Sequence, residues 1–138
     1  MAIDDLKYNE LTRKIIGAAM KVHQILGNGF QEVIYQRALM IEFRKLDLLF
    51  SREQEMPIFY ESIHIGTRRV DFLVDGMIVV ELKALLVLED VHIAQTINYL
   101  EAYNLEVGLL INFGAKSLEF KRFRNKKFKP NSNQNNTA

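Results

Sequence analysis

One stretch decides the fold: Arg69-Val-Asp71-Phe-Leu-Val-Asp75-Gly76-Met-Ile-Val-Val-Glu81-Leu-Lys83. On both sides of Asp75-Gly76, the residue character changes with the period of two that is typical of a β-strand, in which successive side chains point to opposite faces of the sheet. Asp-Gly between two such runs is a strong signal for a hairpin turn. The stretch therefore predicts two antiparallel strands, at residues 68–74 and 77–84.

The two faces of this hairpin differ in character. One face is apolar and carries Val70, Phe72, Val74, Ile78, Val80 and Leu82. The other face is apolar near the turn and charged further away, at Asp71, Glu81 and Lys83. The apolar face predicts a buried core, and the charged end of the other face is the candidate functional site.

The length of the turn decides whether the charges meet. A two-residue loop, Asp75-Gly76, would set Asp71 opposite Val80 and send the two carboxylates to opposite faces. A three-residue loop of residues 74–76 would set Asp71 opposite Val79, so that Asp71 and Glu81 become diagonal neighbours on one face. The second register also keeps the apolar residues together, and we therefore expect it.

Two carboxylates and a lysine in one place suit a particular chemistry. Like charges a few ångströms apart repel, and a divalent cation removes that cost. Mg²⁺ prefers oxygen ligands, often one or two carboxylates with water and substrate phosphate oxygens. A lysine alongside can orient a water and offset charge on a phosphate. The competing interpretation is an ion-pair cluster on an exposed sheet face, because Glu-x-Lys triplets are common by chance.

The remaining chain supplies helices and further strands. Helices are expected at residues 11–26 and 31–46, then a polar loop at 47–55 and a strand at 56–65 broken by a turn at Glu61-Ser62. A helix at 89–103, a buried strand at 107–113 and an edge strand at 118–123 follow. The order α-α-β-β-β-α-β-β predicts an α/β protein with a mixed sheet covered by helices.

Composition limits the possible classes. The chain has 138 residues, which suits one domain, here residues 1–125 with a basic and then Asn-rich tail at 126–138 that we expect to be disordered. It has no cysteine, and it shows neither a secretory leader nor an apolar run long enough to span a membrane. We expect a cytoplasmic protein.

Charge is unevenly distributed along the chain. Residues 116–129 hold seven Lys or Arg and one Glu, for a charge of +6, so the remainder carries −5 out of the total of +1. Such a segment could hold nucleic-acid phosphates, or it could be a solvated tail, and both interpretations stay open.

Polar residues on two helices could join the site. In the helix at 89–103, His92, Gln95 and Tyr99 share a stripe that could line a cleft beside Lys83, while the stripe of Ile93, Ile97 and Leu100 would pack on the sheet or the first helices. Glu32 begins the second helix at the head of its inward stripe, where the helix dipole alone would explain it. For His23 and His64 we expect structural hydrogen bonds.

The residues resemble a known family. Leu26-Gly-Asn-Gly29-Phe-Gln-Glu32-Val-Ile-Tyr35 resembles the signature of the GxxExxY proteins, a branch of the PD-(D/E)xK nuclease superfamily. Val70-Asp71 and Glu81-Leu82-Lys83 match that superfamily's Asp and Glu-x-Lys positions. Gln95-Thr-Ile-Asn-Tyr99 is similar to the Gln-xxx-Tyr helix of RecB-type nucleases, and residues 108–114 resemble the strand that follows. The resemblance covers residues 9–124, with Val70 in place of the superfamily's proline.

This resemblance implies a restriction-endonuclease-like αβββαβ core with an extra N-terminal helix. It implies Mg²⁺, with Mn²⁺ as a substitute, held by Asp71, Glu81, the carbonyl of Leu82 and Glu32. Lys83 would position the attacking water. Gln95 would support catalysis, and Tyr99 and His92 would bind substrate. Many small nucleases pair to cut two strands, so a homodimer is also expected.

The leading hypothesis is thus a Mg²⁺-dependent nuclease acting on DNA or RNA. The alternative is a catalytically silent nucleic-acid-binding or scaffold protein on the same fold. A third hypothesis is a protein that binds nucleic acid through residues 116–129 alone.

Overall fold

A computed structural model describes residues 3–130, with side chains from residue 8 onward. Within these residues the chain forms α1 Ile3–Leu26, α2 Glu32–Lys45, β1 Phe50–Tyr60, β2 Ile63–Val74, β3 Ile78–Lys83, α3 Asp90–Ala102, β4 Val107–Asn112 and β5 Glu119–Arg124. The predicted order of helices and strands is confirmed. Of the expected tail, residues 131–138 lie outside the described part of the chain.

The strands form one mixed sheet in the order β1-β2-β3-β4-β5. β3 and β4 pair in parallel, and the other neighbours pair antiparallel. A parallel pair needs a long crossover, and α3 provides it between β3 and β4. The fold is therefore the mixed α/β arrangement that the sequence predicts.

Helices cover both faces of the sheet. α1 and α2 pack on one face, in a core that includes Tyr35, Phe43, Phe72, Leu109 and Phe113. α3 packs on the other face. The sequence predicted that α3 would bury Ile93, Ile97 and Leu100, and this is wrong for the two isoleucines: they are only half-buried, whereas Thr96, Tyr99 and Leu100 are buried.

β1 is longer than predicted. Residues 50–55, expected as a loop, belong to this strand, and β2 begins at Ile63 rather than at residue 68. β1 lies at the edge of the sheet, where polar side chains meet solvent and do not alternate with a clear apolar set. The turn expected at Glu61-Ser62 is confirmed, because both residues have positive φ and Tyr60 pairs with Ile63.

β2 is irregular at Asp71. The sequence predicted Val70 and Phe72 on one face, but Phe72 packs in the core under α1 and α2 while Val70 packs with Val79, Tyr99 and Leu100 on the α3 side. On β1, the facing Glu53 has a φ of 53°, and the pair that would join it to Asp71 is missing from the ladder. Strict alternation along β2 is therefore broken between Val70 and Phe72, although the register with β1 is the same on both sides of Asp71.

Part of the expected tail is bonded to the domain. Residues 127–129, which were expected to be disordered, form hydrogen bonds to Asn125 and Asn104. Lys127 also forms a 3.0 Å ion pair with Glu101. In residues 3–130, no helix combines the length and the apolar character that crossing a membrane requires.

Candidate functional site

The turn between β2 and β3 sets the site. Asp75 and Gly76 have φ of 54° and 66°, and the amide of Met77 donates to the carbonyl of Val74 over 3.0 Å. Val74 then pairs with Ile78, so the loop contains Asp75, Gly76 and Met77. The predicted register, with Asp71 opposite Val79, is wrong. The pairs observed for β2 and β3 set Asp71 level with Glu81 instead.

The two carboxylates meet where β2 and β3 separate. The described ladder ends at the Phe72–Val80 pair. Beyond it, the amide of Asp71 donates to Oε1 of Glu81 over 3.0 Å, and the amide of Leu82 donates to Oδ2 of Asp71 over 2.8 Å. Each carboxylate thus accepts a backbone hydrogen bond from the opposite strand. Asp71 and Glu81 therefore lie together, as expected, but they are directly opposite each other and not diagonal neighbours.

Burial makes this pair costly to ionise. Only 7% of Glu81 is exposed. Desolvation, followed by the charge of Asp71, raises the pKa of Glu81 to about 8. Desolvation also raises the pKa of Asp71, against the hydrogen bonds from Leu82 and Gln36. The site therefore favours a proton, or another positive charge, between the two carboxylates.

Lys83 supplies such a charge at the end of β3. Its side chain is half-buried, and its ammonium group acts to lower the pKa of Asp71, Glu81 and Glu32. It is therefore within electrostatic reach of all three acids. The carbonyl of Lys83 accepts a 2.8 Å hydrogen bond from Phe113, which fixes the strand end against β4.

Beyond Lys83, the chain is held by the side chain of Asn112. This fully buried amide accepts from the amide of Leu85 and donates to the carbonyl of Leu85, both over 2.8 Å. A side chain at Gly114 would lie 2.3 Å from the nitrogen of Leu85, so the crossing of these two segments requires glycine. The segment after the strand is thus fixed closely to β4.

Glu32 lies near the site but outside its centre. It is exposed at the start of α2, and partial desolvation raises the pKa of its carboxyl while Lys83 counteracts the rise. In residues 3–130, no three His, Cys, Asp or Glu side chains form a group that could hold a metal ion. A cation at Asp71 and Glu81 would therefore take its other ligands from backbone, water or substrate, and a direct role for Glu32 or the Leu82 carbonyl stays a prediction.

The three polar residues of α3 occupy different environments. His92 caps the helix, where its Nδ1 accepts from the amide of Glu89 over 3.0 Å. It also lines an open cleft of about 630 Å³ together with residues 84–87 and Glu89. Gln95 is half-buried. Tyr99 is only 8% exposed and packs against the sheet, and the charges of Glu81 and Arg68 act on its hydroxyl.

Three side chains at the site were missed by the sequence analysis. Gln36 of α2 donates from Nε2 to Oδ1 of Asp71 over 3.0 Å, and its Oε1 accepts from Nε of Arg52 over 2.7 Å. Arg68 lies on the α3 side, with its guanidinium 5.2 Å from the centre of the Tyr99 ring. These contacts join distant segments, and no local pattern marks them; only the position of Gln36 beside Tyr35 could have drawn attention to it.

Tyr35 and two histidines have structural roles. The Tyr35 hydroxyl donates to the carbonyl of Gly27 over 2.7 Å and accepts from the amide of Phe30 over 3.1 Å. Its ring stacks on Phe113. His23 is bonded through Nε2 to the carbonyl of Ala115, and His64 to the hydroxyl of Thr67, as expected of structural histidines.

Comparisons with known proteins show the family and the fold of this chain. The sequence model of the PD-(D/E)XK nuclease superfamily matches residues 9–123. Among solved structures, the crystal structure of SSO0001 is similar, with a TM-score of 0.56 and 17% identity over 68% of this chain. The match covers 50% of that chain, so this protein spans about half of its length. No curated protein matches. The predicted fold class, an α/β restriction-endonuclease-like arrangement, is confirmed.

Proposed function

We propose that this chain, which belongs to the PD-(D/E)XK nuclease superfamily, hydrolyses phosphodiester bonds of DNA or RNA with the help of a divalent cation. The observation that carries the proposal is the pair Asp71 and Glu81, set level on neighbouring strands, with Glu81 accepting from the amide of Asp71 and Asp71 accepting from the amide of Leu82. The assignment to the GxxExxY branch, from Gly29, Glu32 and Tyr35, is a narrower part of the same proposal.

The residues present fit a hard cation such as Mg²⁺. Both side chains at the centre offer carboxylate oxygens, and burial raises the pKa of Glu81 to about 8, so this pair gains much from a positive charge. Asp71, Glu81 and the backbone carbonyl of Leu82 would hold the ion, with Glu32 at its outer side. When bound, the cation neutralises charge on the phosphate and makes water more acidic. Mn²⁺ would substitute.

Three side chains of the protein would then act on the water and the substrate. Lys83, fixed at the end of β3, orients the attacking water and balances charge that develops on the phosphate. Gln95 supports this group from α3. His92 contacts the substrate from the cleft beside residues 84–87. Pairing of two copies, so that both strands of a duplex are cut, is a further part of the proposal.

Cleavage assays test this function directly. Labelled single- and double-stranded DNA and RNA are incubated with wild type, Asp71→Ala and Glu81→Ala in Mg²⁺ and in chelator. We expect metal-dependent cleavage by wild type and none by either variant, with circular dichroism unchanged. Glu55→Ala, which removes an exposed acid from β1, serves as the matched control and retains activity. Equal cleavage by wild type and both site variants would defeat the proposal.

Calorimetry separates the enzyme from a silent scaffold. Titration of wild type with Mg²⁺ or Mn²⁺ is expected to show binding that Asp71→Ala removes. Absence of binding at millimolar metal, together with absence of cleavage, would favour the scaffold protein.

A further inference from the structure

Arg68 and Tyr99 form a cation–π pair beside the candidate site. Arg68 lies on β2 and is exposed, while Tyr99 lies on α3 and is 8% exposed. The guanidinium carbon is 5.2 Å from the ring centre, within the usual range for this interaction. Tyr99 packs with Val70, Val79 and Leu100, so its ring is held against the sheet beneath the exposed, charged side chain of Arg68.

This guanidinium is available for an anion. Arg52, Arg69 and Arg124 each form an ion pair with a glutamate, whereas Arg68 forms none with a carboxylate of the described residues 3–130. A guanidinium carries five N–H groups, so beyond the hydrogen bond from Arg68 to the Tyr99 hydroxyl it keeps others that can donate to an anion. Two of these N–H groups match two oxygens of a phosphate.

The position of Arg68 is also specific. Its charge acts to lower the pKa of Glu81, so it is within electrostatic reach of the carboxylate pair. Lys83 reaches the same pair from the end of β3. A phosphodiester placed at Asp71 and Glu81 would therefore have one cation from each of two strands near it.

We propose that Arg68 binds a backbone phosphate of the nucleic-acid substrate, next to the bond that is cut, and that Tyr99 holds Arg68 in place. The inference rests on the proposed function, because it takes the substrate to be a nucleic acid. It also assigns Tyr99 a different part from the one that the sequence predicted: Tyr99 is a positioning residue, and the contact with substrate belongs to Arg68.

The test compares two adjacent arginines. Arg68→Gln removes the proposed contact, and Arg69→Gln removes an exposed arginine that pairs with Glu55. Binding of a labelled oligonucleotide is measured by fluorescence anisotropy in chelator, over a range of salt concentrations. We expect Arg68→Gln to weaken binding about tenfold at low salt. It should also lower the slope of log Kd against log salt by about one, as the loss of one phosphate contact does. Arg69→Gln should match wild type.

Variants of Tyr99 test the platform. Tyr99→Phe keeps the ring but loses the hydroxyl that Arg68 contacts, so it should weaken binding less than Tyr99→Leu, which should lower the salt slope as Arg68→Gln does. Mn²⁺ affinity, measured by calorimetry, should not fall in any of these variants, and for Arg68→Gln it should be equal or higher because a cation near Glu81 is lost.

The outcomes separate this inference from the proposed function. If wild type cleaves nucleic acid but Arg68→Gln keeps the wild-type salt slope, the inference alone fails. If wild type binds without cleaving and Arg68→Gln lowers the slope, the inference holds and the proposed function fails. If wild type does not bind nucleic acid, both fail.

Discussion

Nε2 of Gln36 lies 3.0 Å from Oδ1 of Asp71 and donates a hydrogen bond to it. Gln36 is 4% exposed, and Arg52 donates to its Oε1 over 2.7 Å. Because Arg52 can only donate, it holds the oxygen of the amide towards itself and the NH₂ group towards Asp71. The carboxylate is therefore oriented by a side chain whose own orientation is fixed.

Gln36→Met should weaken metal binding without unfolding the protein. Methionine fills a similar volume but donates no hydrogen bond to Asp71, and loss of a partner that orients a ligand usually costs about 10- to 100-fold in affinity. Calorimetric titration with Mn²⁺ measures the effect. Gln24→Met, at an exposed position of α1, is the control and should bind as wild type does. Equal affinity in both variants would show that Gln36 does not orient the site.

Glu81→Gln should stabilise the metal-free protein at alkaline pH. The pKa of Glu81 is raised to about 8 on folding, so between its ordinary value and about pH 8 the folded state holds a proton that the unfolded state has released. Stability therefore falls as pH rises through this window, by an amount on the order of a few kcal/mol. A neutral amide at position 81 removes this contribution to the fall.

Urea unfolding in chelator, at about pH 5 and about pH 8.5, measures this difference. Wild type should lose stability at the higher pH and regain it with Mg²⁺, whereas Glu81→Gln should show a smaller loss and a smaller gain, because only Asp71 still contributes. The control is Glu10→Gln, which changes a largely exposed carboxylate. Parallel pH profiles of wild type and Glu81→Gln would contradict the assigned pKa.

Lys83→Met should separate chemistry from metal binding. The side chain keeps its apolar stem but loses the charge that offsets the developing phosphate charge, and removal of one such group typically lowers kcat by about 10²- to 10³-fold. Loss of a cation beside Asp71 and Glu81 should leave Mn²⁺ affinity equal or higher. Single-turnover cleavage and calorimetry on the same preparation give both values. A fall in Mn²⁺ affinity would assign Lys83 a structural role instead.

Tyr35→Phe should destabilise the fold and leave the site unchanged. The hydroxyl of this fully buried residue links the carbonyl of Gly27 to the amide of Phe30. Its loss leaves these groups without that partner, at a cost of about 1–3 kcal/mol. The free energy of unfolding from urea titration should fall by this amount, while Mn²⁺ affinity stays constant. A weaker Mn²⁺ affinity at unchanged stability would show that Tyr35 acts on the site.

Local patterns predicted the main elements well. The alternation on both sides of Asp75-Gly76 predicted the central hairpin, and the same alternation placed Glu81 and Lys83 on one face of β3. These features depend on neighbours in sequence. Asp71 and Glu81 could be brought together on this basis alone, because the predicted register and the observed one both make the two acids neighbours.

The two details that were predicted wrongly, the length of the turn and the face of Val70, depend on local backbone conformations of similar energy. Met77 entered the turn because Asp75 and Gly76 both took left-handed conformations, which shifted every pair of the hairpin. The irregularity at Asp71 moved Val70 to the other face. The periodicity of the sequence predicts neither change, because each one requires only a single residue to depart from regular strand geometry.

Contacts between segments that are distant in sequence could not be predicted, for a different reason. Gln36 and Asp71 are 35 positions apart, and they meet only because α2 lies across the sheet. The pairing of Arg68 with Tyr99 likewise needs the crossover that α3 makes. An isolated glutamine or arginine has many possible partners, and the fold selects among them.

The amide of Asn112 occupies the place that the next peptide group of β4 would take, and it bonds Leu85 through both its oxygen and its nitrogen. The side chain of Asn112 thus continues the parallel pairing of β3 with β4 beyond Lys83. A lysine at a frayed strand end would sample many directions, and each binding event would have to select one. Here the backbone around Lys83 is already fixed when the protein folds, so the arrival of a substrate need not order it again.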